Sequence, residues 1–266
     1  MAEQALENLI LQYNQLVVHY PGLEYGIDKE KDCFYVAGVL HISATYKEHS
    51  IQDSYLIRID VPWDFDLHHV PLSYELAGRI PQKFHHYQNG NLCLGVCIAV
   101  YEKLKPNCSL LGYIDNVLVP YLFAYSYYEK IGKMPFGNAG HDKDAMLLYL
   151  QDHFPNVRTN RFLDFIIYMY MPQLYGSHRP CLCGSGHPMR YCHLASIKAL
   201  MDTYPKVYLR YDIQDYVRQL NDKNIHCDSM ISQRKRRTFC WKIKQDYKAD
   251  KKTIAQFFRK EKNKGQ

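Results

Sequence analysis

Apolar residues recur at helical spacing from Ala2 to Tyr20, at Leu6, Leu9, Ile10, Tyr13, Leu16, Val17 and Tyr20, and Pro21-Gly22 closes the run. The pattern predicts an amphipathic helix. The period then drops to two. Phe34, Val36, Gly38, Leu40, Ile42, Ala44 and Tyr46 alternate with more polar neighbours and predict two strands, and Tyr55, Ile57, Ile59 and Val61 predict a further strand that ends at Pro62. Between Trp63 and Pro81 few positions are periodic and prolines recur at 62, 71 and 81, so an irregular, extended connection is expected there.

Beyond residue 93 an apolar run reaches Tyr101, and Ser109 to Ile131 reads as helix. Pro120 within it must start a second helix or kink one, because proline lacks an N–H and its ring crowds the preceding turn. Gly132 to Gly137 reads as a loop, followed by His141 and a helix through about Phe154. Arg161 to Tyr175 is a further helical stretch, almost wholly aromatic and aliphatic, and is expected to pack against the body. No internal repeat is visible. A terminal helix, an antiparallel meander and then helices make an α+β chain.

Composition narrows the class. The 266 residues allow a sizeable core, and 24 tyrosines raise the aromatic share to 14%. Neither a long apolar span nor a cleavable leader is evident, which predicts a soluble, cytoplasmic protein without membrane contact. The nine cysteines fall as scattered residues plus a tight cluster near 181–193, a distribution that favours thiol chemistry and a metal over disulfides. Cys33, Cys97, Cys108, Cys227 and Cys240 read as small buried hydrophobes or incidental. Charge is uneven: from Arg234 onward 13 Lys and Arg face 3 Asp and Glu, so the tail carries +10 of the chain's +6 and the body sums to about −4.

The stretch His85-His86-Tyr87-Gln88-Asn89-Gly90-Asn91-Leu92-Cys93-Leu94 sets one thiol just beyond an Asn-Gly pair. Both residues of the pair tolerate the positive φ of a tight reversal, so the backbone should hold Cys93 in place. The order Asn-Gly-x-x-Cys-Leu with histidine upstream resembles the active-site segment of ubiquitin-conjugating enzymes. Other segments resemble the bacterial branch of that family: Tyr55 to Pro62 with Trp63-Asp64-Phe65, Glu75 with Gly78-Arg79-Ile80-Pro81, and Gly132-Lys133-Met134-Pro135-Phe136-Gly137 leading to His141. The likeness covers a little over half the chain.

The resemblance implies that Cys93 takes a ubiquitin-like modifier as a thioester from an activating enzyme and passes it to an amine on a protein target. Sulfur suits the task, since the thiolate is nucleophilic and its thioester stays reactive toward amines. It also implies a bacterial conjugation system linked to antiphage defence. The chain departs from the eukaryotic pattern, which has His-Pro-Asn upstream of the cysteine; His85-His86-Tyr87 stands near that place. For His85 and His86 three roles stay open: holding the loop, donating to the oxyanion, or moving a proton. His141 is a further candidate at the site.

Cys181-Leu-Cys183-Gly-Ser-Gly-His-Pro-Met-Arg-Tyr-Cys192-His193 is the most specific signal. Three thiols and an imidazole are the set that a closed tetrahedral zinc prefers, with no open position for catalysis, and Gly184 and Gly186 permit tight turns between ligands. Arg190 and Tyr191 are expected to cover the knuckle. The pattern resembles the SEC-C motif, whose ligands would be Cys181, Cys183, Cys192 and His193 around a structural zinc, and whose modules dock proteins or nucleic acid.

In the tail, Arg234 to Arg237 and the later lysines interleave with Phe239, Trp241, Tyr247, Phe257 and Phe258. Nucleic-acid binding, a solvated helix face and self-modified lysines all fit that composition. The organisation expected is a ubiquitin-conjugating-like domain at 1–155, an apolar connector at 156–177, the knuckle at 178–200 and a basic helical extension at 201–266. The alternative is a catalytically inactive conjugating fold that docks protein or nucleic acid through knuckle and tail.

Overall fold

The computed structural model describes residues 2–65, 70–82, 84, 86, 87, 89–135, 145–203 and 228–246. The described residues form two compact units, 2–148 with 203, and 149–202 with 228–246. Both are taken separately below.

The first unit opens with helix α1, Ala2–His19, which turns Leu9 and Leu16 into the core and leaves Leu11 and Val18 in solvent. Four strands follow in simple order, β1 Leu23–Asp28, β2 Cys33–Tyr46, β3 His49–Val61 and β4 Leu72–Glu75, all antiparallel neighbours. The meander is thus present, with three corrections. The alternation from Phe34 to Tyr46 is one strand rather than two, paired along its whole length with β3. The proline-rich stretch contains β4, too short and too weakly alternating to read from composition. Leu23–Asp28 likewise forms a strand that the periodicity did not reveal.

On β2, Phe34, Val36, Leu40 and Ile42 face the core, and on β3 Ile51, Tyr55, Ile57, Ile59 and Val61 do the same. Gly38 breaks the series for a backbone reason. Its φ is +141°, and a Cβ there would sit 2.1 Å from the carbonyl oxygen of Gly22, where the chain enters β1.

Helix α2, Cys97–Leu104, leads to α3, Leu110–Tyr113, which begins with two side-chain caps. The Ser109 hydroxyl accepts the Gly112 N–H at 3.0 Å, and Gln12 of α1 accepts the Leu110 N–H at 2.9 Å. A π-helical turn, Ile114–Leu118, then joins α3 to α4, Val119–Ile131. Pro120 explains the widened turn: it falls at the start of α4, where its missing N–H costs least. Gly132 ends α4 in the left-handed conformation at φ 74°. The core of this unit unites Leu9, Leu16, the inward strand residues and Leu110, Ile114, Leu118 and Leu122.

The second unit holds most of α5, Ala145–His153, together with α6, Phe162–Tyr170, and α7, Leu194–Thr203. A last helix, α8, spans 233–246. The expected helix from Arg161 to Tyr175 ends at Tyr170 instead, because Pro172 restricts the residue before it and the chain continues as a 3-10 turn, Pro172–Leu174. Nearly every residue of α6 is buried, including Asp164, which accepts from the Ser229 hydroxyl and from the Met230 N–H at 2.6 Å. Burial raises the Asp164 pKa, against the pull of those two donors. Asp164 thereby ties α6 to the segment entering α8. No described helix is long and apolar enough to cross a membrane.

Candidate functional sites

The hairpin before Cys93 is built by backbone bonds. Gly90 takes φ 86°, its N–H donates to the Tyr87 carbonyl at 2.9 Å, and the Tyr87 N–H donates to the Asn91 carbonyl at 2.9 Å. Of the Asn-Gly pair only Gly90 uses the left-handed region. His86 then pairs with Leu92 across the hairpin.

This small hairpin is pinned to the sheet. The Leu92 N–H donates to the Ser73 carbonyl on β4 at 2.7 Å, and Leu92 itself is buried. Ser73 is held in turn, its hydroxyl 2.8 Å from the fully buried Tyr113 hydroxyl, which donates to the Pro71 carbonyl at 3.0 Å. Cys93 follows directly, its thiol half-buried.

Three side chains bear on this hairpin, two of them its own. His86 Nδ1 lies 3.0 Å from the Phe84 carbonyl oxygen. A carbonyl only accepts, so Nδ1 carries the proton in that bond and the neutral ring keeps Nε2 as an acceptor. The Tyr121 hydroxyl of α4 donates to the same carbonyl at 3.2 Å. Burial keeps the Tyr121 pKa far above the usual phenol value, with a smaller upward contribution from charge on nearby Cys93. Asn91, two residues before the thiol, is buried, and its side-chain oxygen has no hydrogen-bond partner among the described residues. Sequence reasoning missed Tyr121 and Asn91: one sits in a helix full of tyrosines, the other beside a stronger turn signal. Of the predicted catalytic residues, Cys93 and His86 lie on this hairpin, whereas His85 and His141 lie outside the described residues.

In the second unit Cys181, Cys183, Cys192 and His193 come together, with their ligand atoms all within 4.8 Å of one another. This cluster can hold a metal ion. Cys183 Sγ is 3.8 Å from Cys192 Sγ, and His193 Nδ1 is 3.3 Å from Cys181 Sγ and 3.1 Å from Cys192 Sγ.

A short two-armed turn presents the ligands. Pro180 pairs with Pro188, the Cys181 N–H donates to the His187 carbonyl at 2.7 Å, and the Gly184 N–H donates to the Cys181 carbonyl at 2.9 Å. Gly184 and Gly186 take φ 85° and 80°, as their spacing between ligands predicts. Cys181, Leu182 and Met189 are fully buried, and the His193 ring meets the edges of Phe154 and Phe165 at 5.7 and 5.6 Å between centroids. That aromatic frame aims the imidazole.

Burial pushes the Cys181 thiol up to about 12 and lowers the His193 pKa, which favours the neutral ring that a metal needs. Burial also raises Cys183, but hydrogen bonds from Ser185 and the adjoining thiols outweigh it, and its net shift is downward. Arg190 and Tyr191 do not cover the knuckle. They stack on each other at 4.6 Å, with Tyr191 75% exposed. Arg161 takes that place: its guanidinium lies 3.6 Å from where a Cβ would stand on Gly184, and it pairs with Asp228.

Compared with family models, curated proteins and solved structures, the chain has no significant match.

Proposed function

We propose that this chain is a ubiquitin-conjugating-type carrier in which Cys93 holds a ubiquitin-like modifier as a thioester, with a structural zinc at Cys181, Cys183, Cys192 and His193. The observation that carries the first half is the half-buried Cys93 thiol at the end of a hairpin pinned to the edge of a four-stranded meander, beside His86, Tyr121 and Asn91. The order of elements, helix, meander, cysteine hairpin and helices, is the order that the family resemblance implies.

The chemistry balances with protein groups alone. The Cys93 thiolate attacks the carbonyl carbon of the modifier's C-terminal thioester on its activating enzyme, and the tetrahedral oxyanion collapses as that enzyme's thiolate leaves. A target amine then attacks the new thioester and gives up a proton, and the Cys93 thiolate departs as the amide forms. His86 Nε2 is the base we assign to that proton, because Nδ1 of the same ring is engaged with the Phe84 carbonyl. Tyr121 holds the Phe84 carbonyl, and so the His86 ring, in register. A bacterial conjugation system is the setting that the resemblance supports.

Zinc fits the second site. Bonds of about 2.3 Å to sulfur and about 2.0 Å to nitrogen in a tetrahedron give edges of about 3.8 Å between sulfurs and about 3.5 Å between sulfur and nitrogen. The observed 3.8, 3.3 and 3.1 Å lie within a few tenths of an ångström of those edges, and the widest separation in the cluster, within 4.8 Å, would close by about 1 Å around the ion. Three thiolates around Zn²⁺ would leave a charge of −1, and the nearby cation Arg161, beside Gly184, also pairs with Asp228. With all four positions filled by protein, the ion holds the fold together.

Intact-mass analysis after incubation with a candidate modifier, its activating enzyme and ATP tests the carrier role. Wild type should gain a reductant-labile adduct and Cys93→Ser a reductant-stable one. No adduct on wild type, with the activating enzyme shown to be charged, refutes the carrier reading for that pair.

A further inference from the structure

Helix α8 has two faces, and the thioester reading uses neither. The inner face is anchored within its unit. Phe239 and Ile243 are buried, the Tyr170 ring meets Phe239 edge-on at 6.0 Å, the Tyr170 hydroxyl donates to Asp246 at 2.5 Å, and Lys235 Nζ donates to the Leu174 carbonyl at 2.5 Å. These contacts fix which side of the helix is left to solvent. On that side Arg234, Arg237, Thr238 and Trp241 follow one another at steps of three, one and three residues, which is one stripe of an α-helix. With Gln233 they line an open groove of about 460 Å³.

Two properties of the stripe call for a partner. Trp241 is 61% exposed, a large apolar ring held in water on an otherwise ordered helix. Arg234 and Arg237 are exposed, and among the described residues neither guanidinium has a carboxylate partner. Lys244 is also exposed, and among the described residues Lys242 is the cation of this helix that pairs with an acid, Asp246 at 2.6 Å. The sequence from Arg234 onward has 13 Lys and Arg to 3 Asp and Glu, so the surroundings are cationic too.

We infer that this face binds single-stranded nucleic acid, with Trp241 stacking on an unpaired base and Arg234 and Arg237 on the phosphates. Arg234 and Trp241 are two turns apart, about 10 Å along the axis, which spans about three nucleotides of a stacked strand. A duplex hides its base faces and leaves the indole idle, whereas a single strand offers both π-face and backbone. An acidic protein segment satisfies the arginines but gives the ring no flat partner. The inference does not depend on Cys93.

Fluorescence anisotropy with a labelled 20-nucleotide oligothymidylate tests it on the full chain. Wild type should bind, with log affinity falling linearly against log salt at a slope of about −0.7 per phosphate neutralised. Trp241→Ala should weaken binding by about 5- to 100-fold with the salt slope unchanged. Arg234→Gln with Arg237→Gln should flatten the slope by about 1 to 1.5, while Lys47→Gln on the β2–β3 turn and Cys93→Ser should leave both readings intact. Lys47, Arg234, Arg237 and Trp241 face solvent and serine is close in size to the Cys93 it replaces, so the variants should retain the fold, which an unchanged far-ultraviolet circular dichroism spectrum and urea midpoint check for each.

Three outcomes overturn the inference. One is no binding at 50 mM salt. Another is binding indifferent to Trp241 and to the arginine pair. The third is equal competition by an acidic peptide of matched charge, which assigns the face to a protein.

Discussion

Replacing Asp53 by asparagine probes how the approach to Cys93 is held. Asp53 on β3 receives both Nη atoms of Arg79, at 2.8 and 2.7 Å, the Ser126 hydroxyl of α4 at 2.7 Å, and the Ser54 N–H at 2.8 Å. Arg79 also pairs with Glu129 at 2.5 Å and lies 4.5 Å above the Tyr55 ring, and its carbonyl accepts from Tyr125 at 2.7 Å. This network ties the segment that runs from Arg79 to Phe84 and His86 onto both sheet and helix. Asparagine keeps the shape but loses the charge and turns one acceptor into a donor facing Arg79 or Ser126.

Two charge-assisted bonds in a fork are each worth about 1.5–3 kcal/mol when well buried. Arg79 is about a third exposed, so solvent screens the pair, and about 2 kcal/mol is expected. In a Trp241→Phe background Trp63 is the single tryptophan, and its fluorescence reports urea unfolding of the first unit.

The pH dependence carries the sign. Arg79 hydrogen bonds, ahead of those from Ser126 and Ser54, hold the Asp53 carboxyl well below the usual carboxylate range. Its contribution is therefore fully present above the unfolded value near 3.9 and is lost as pH falls through the folded one. The gap between wild type and Asp53→Asn should be constant from pH 5 to 7 and shrink below about pH 4. A gap under 0.5 kcal/mol at pH 7, or one that does not change with acid, refutes the reasoning.

Other outcomes follow from single sites. Mass spectrometry under native conditions should find one zinc per chain, lost in Cys192→Ser and released by acid, because protons compete for three thiolates and an imidazole; full metal retention in the serine variant contradicts the assignment. Gly38→Ala should cost about 3 kcal/mol, from a strained φ of +141° and a Cβ 2.1 Å from the Gly22 oxygen, and an unchanged urea midpoint refutes that. Tyr121→Phe removes the bond to the Phe84 carbonyl and should cost about 1 kcal/mol while slowing discharge of the Cys93 thioester, measured as single-turnover loss of adduct to free lysine; an unaltered rate removes Tyr121 from the site.

Much of the local structure is legible in the chain because it rests on near neighbours. The α1 stripe, the alternation in β2 and β3, the Gly90 reversal and the cluster of three cysteines and a histidine all act across a few residues, where backbone geometry and side-chain period dictate the result. What the sequence could not show depends on partners far away. β4 is four residues long and is a strand only because β3 offers it a free edge. Tyr121 and Asn91 matter because α4 and the hairpin converge on the Phe84 carbonyl and Cys93, a meeting between residues up to 37 positions apart. The same holds at the knuckle, where local order predicted Arg190 and Tyr191 as its cover and packing put Arg161 there. In the tail, composition announced positive charge with aromatics, but only the burial of Phe239 and Ile243 decided that Trp241, Arg234 and Arg237 face water together. Which side of a helix is left exposed is settled by what the other side can bury.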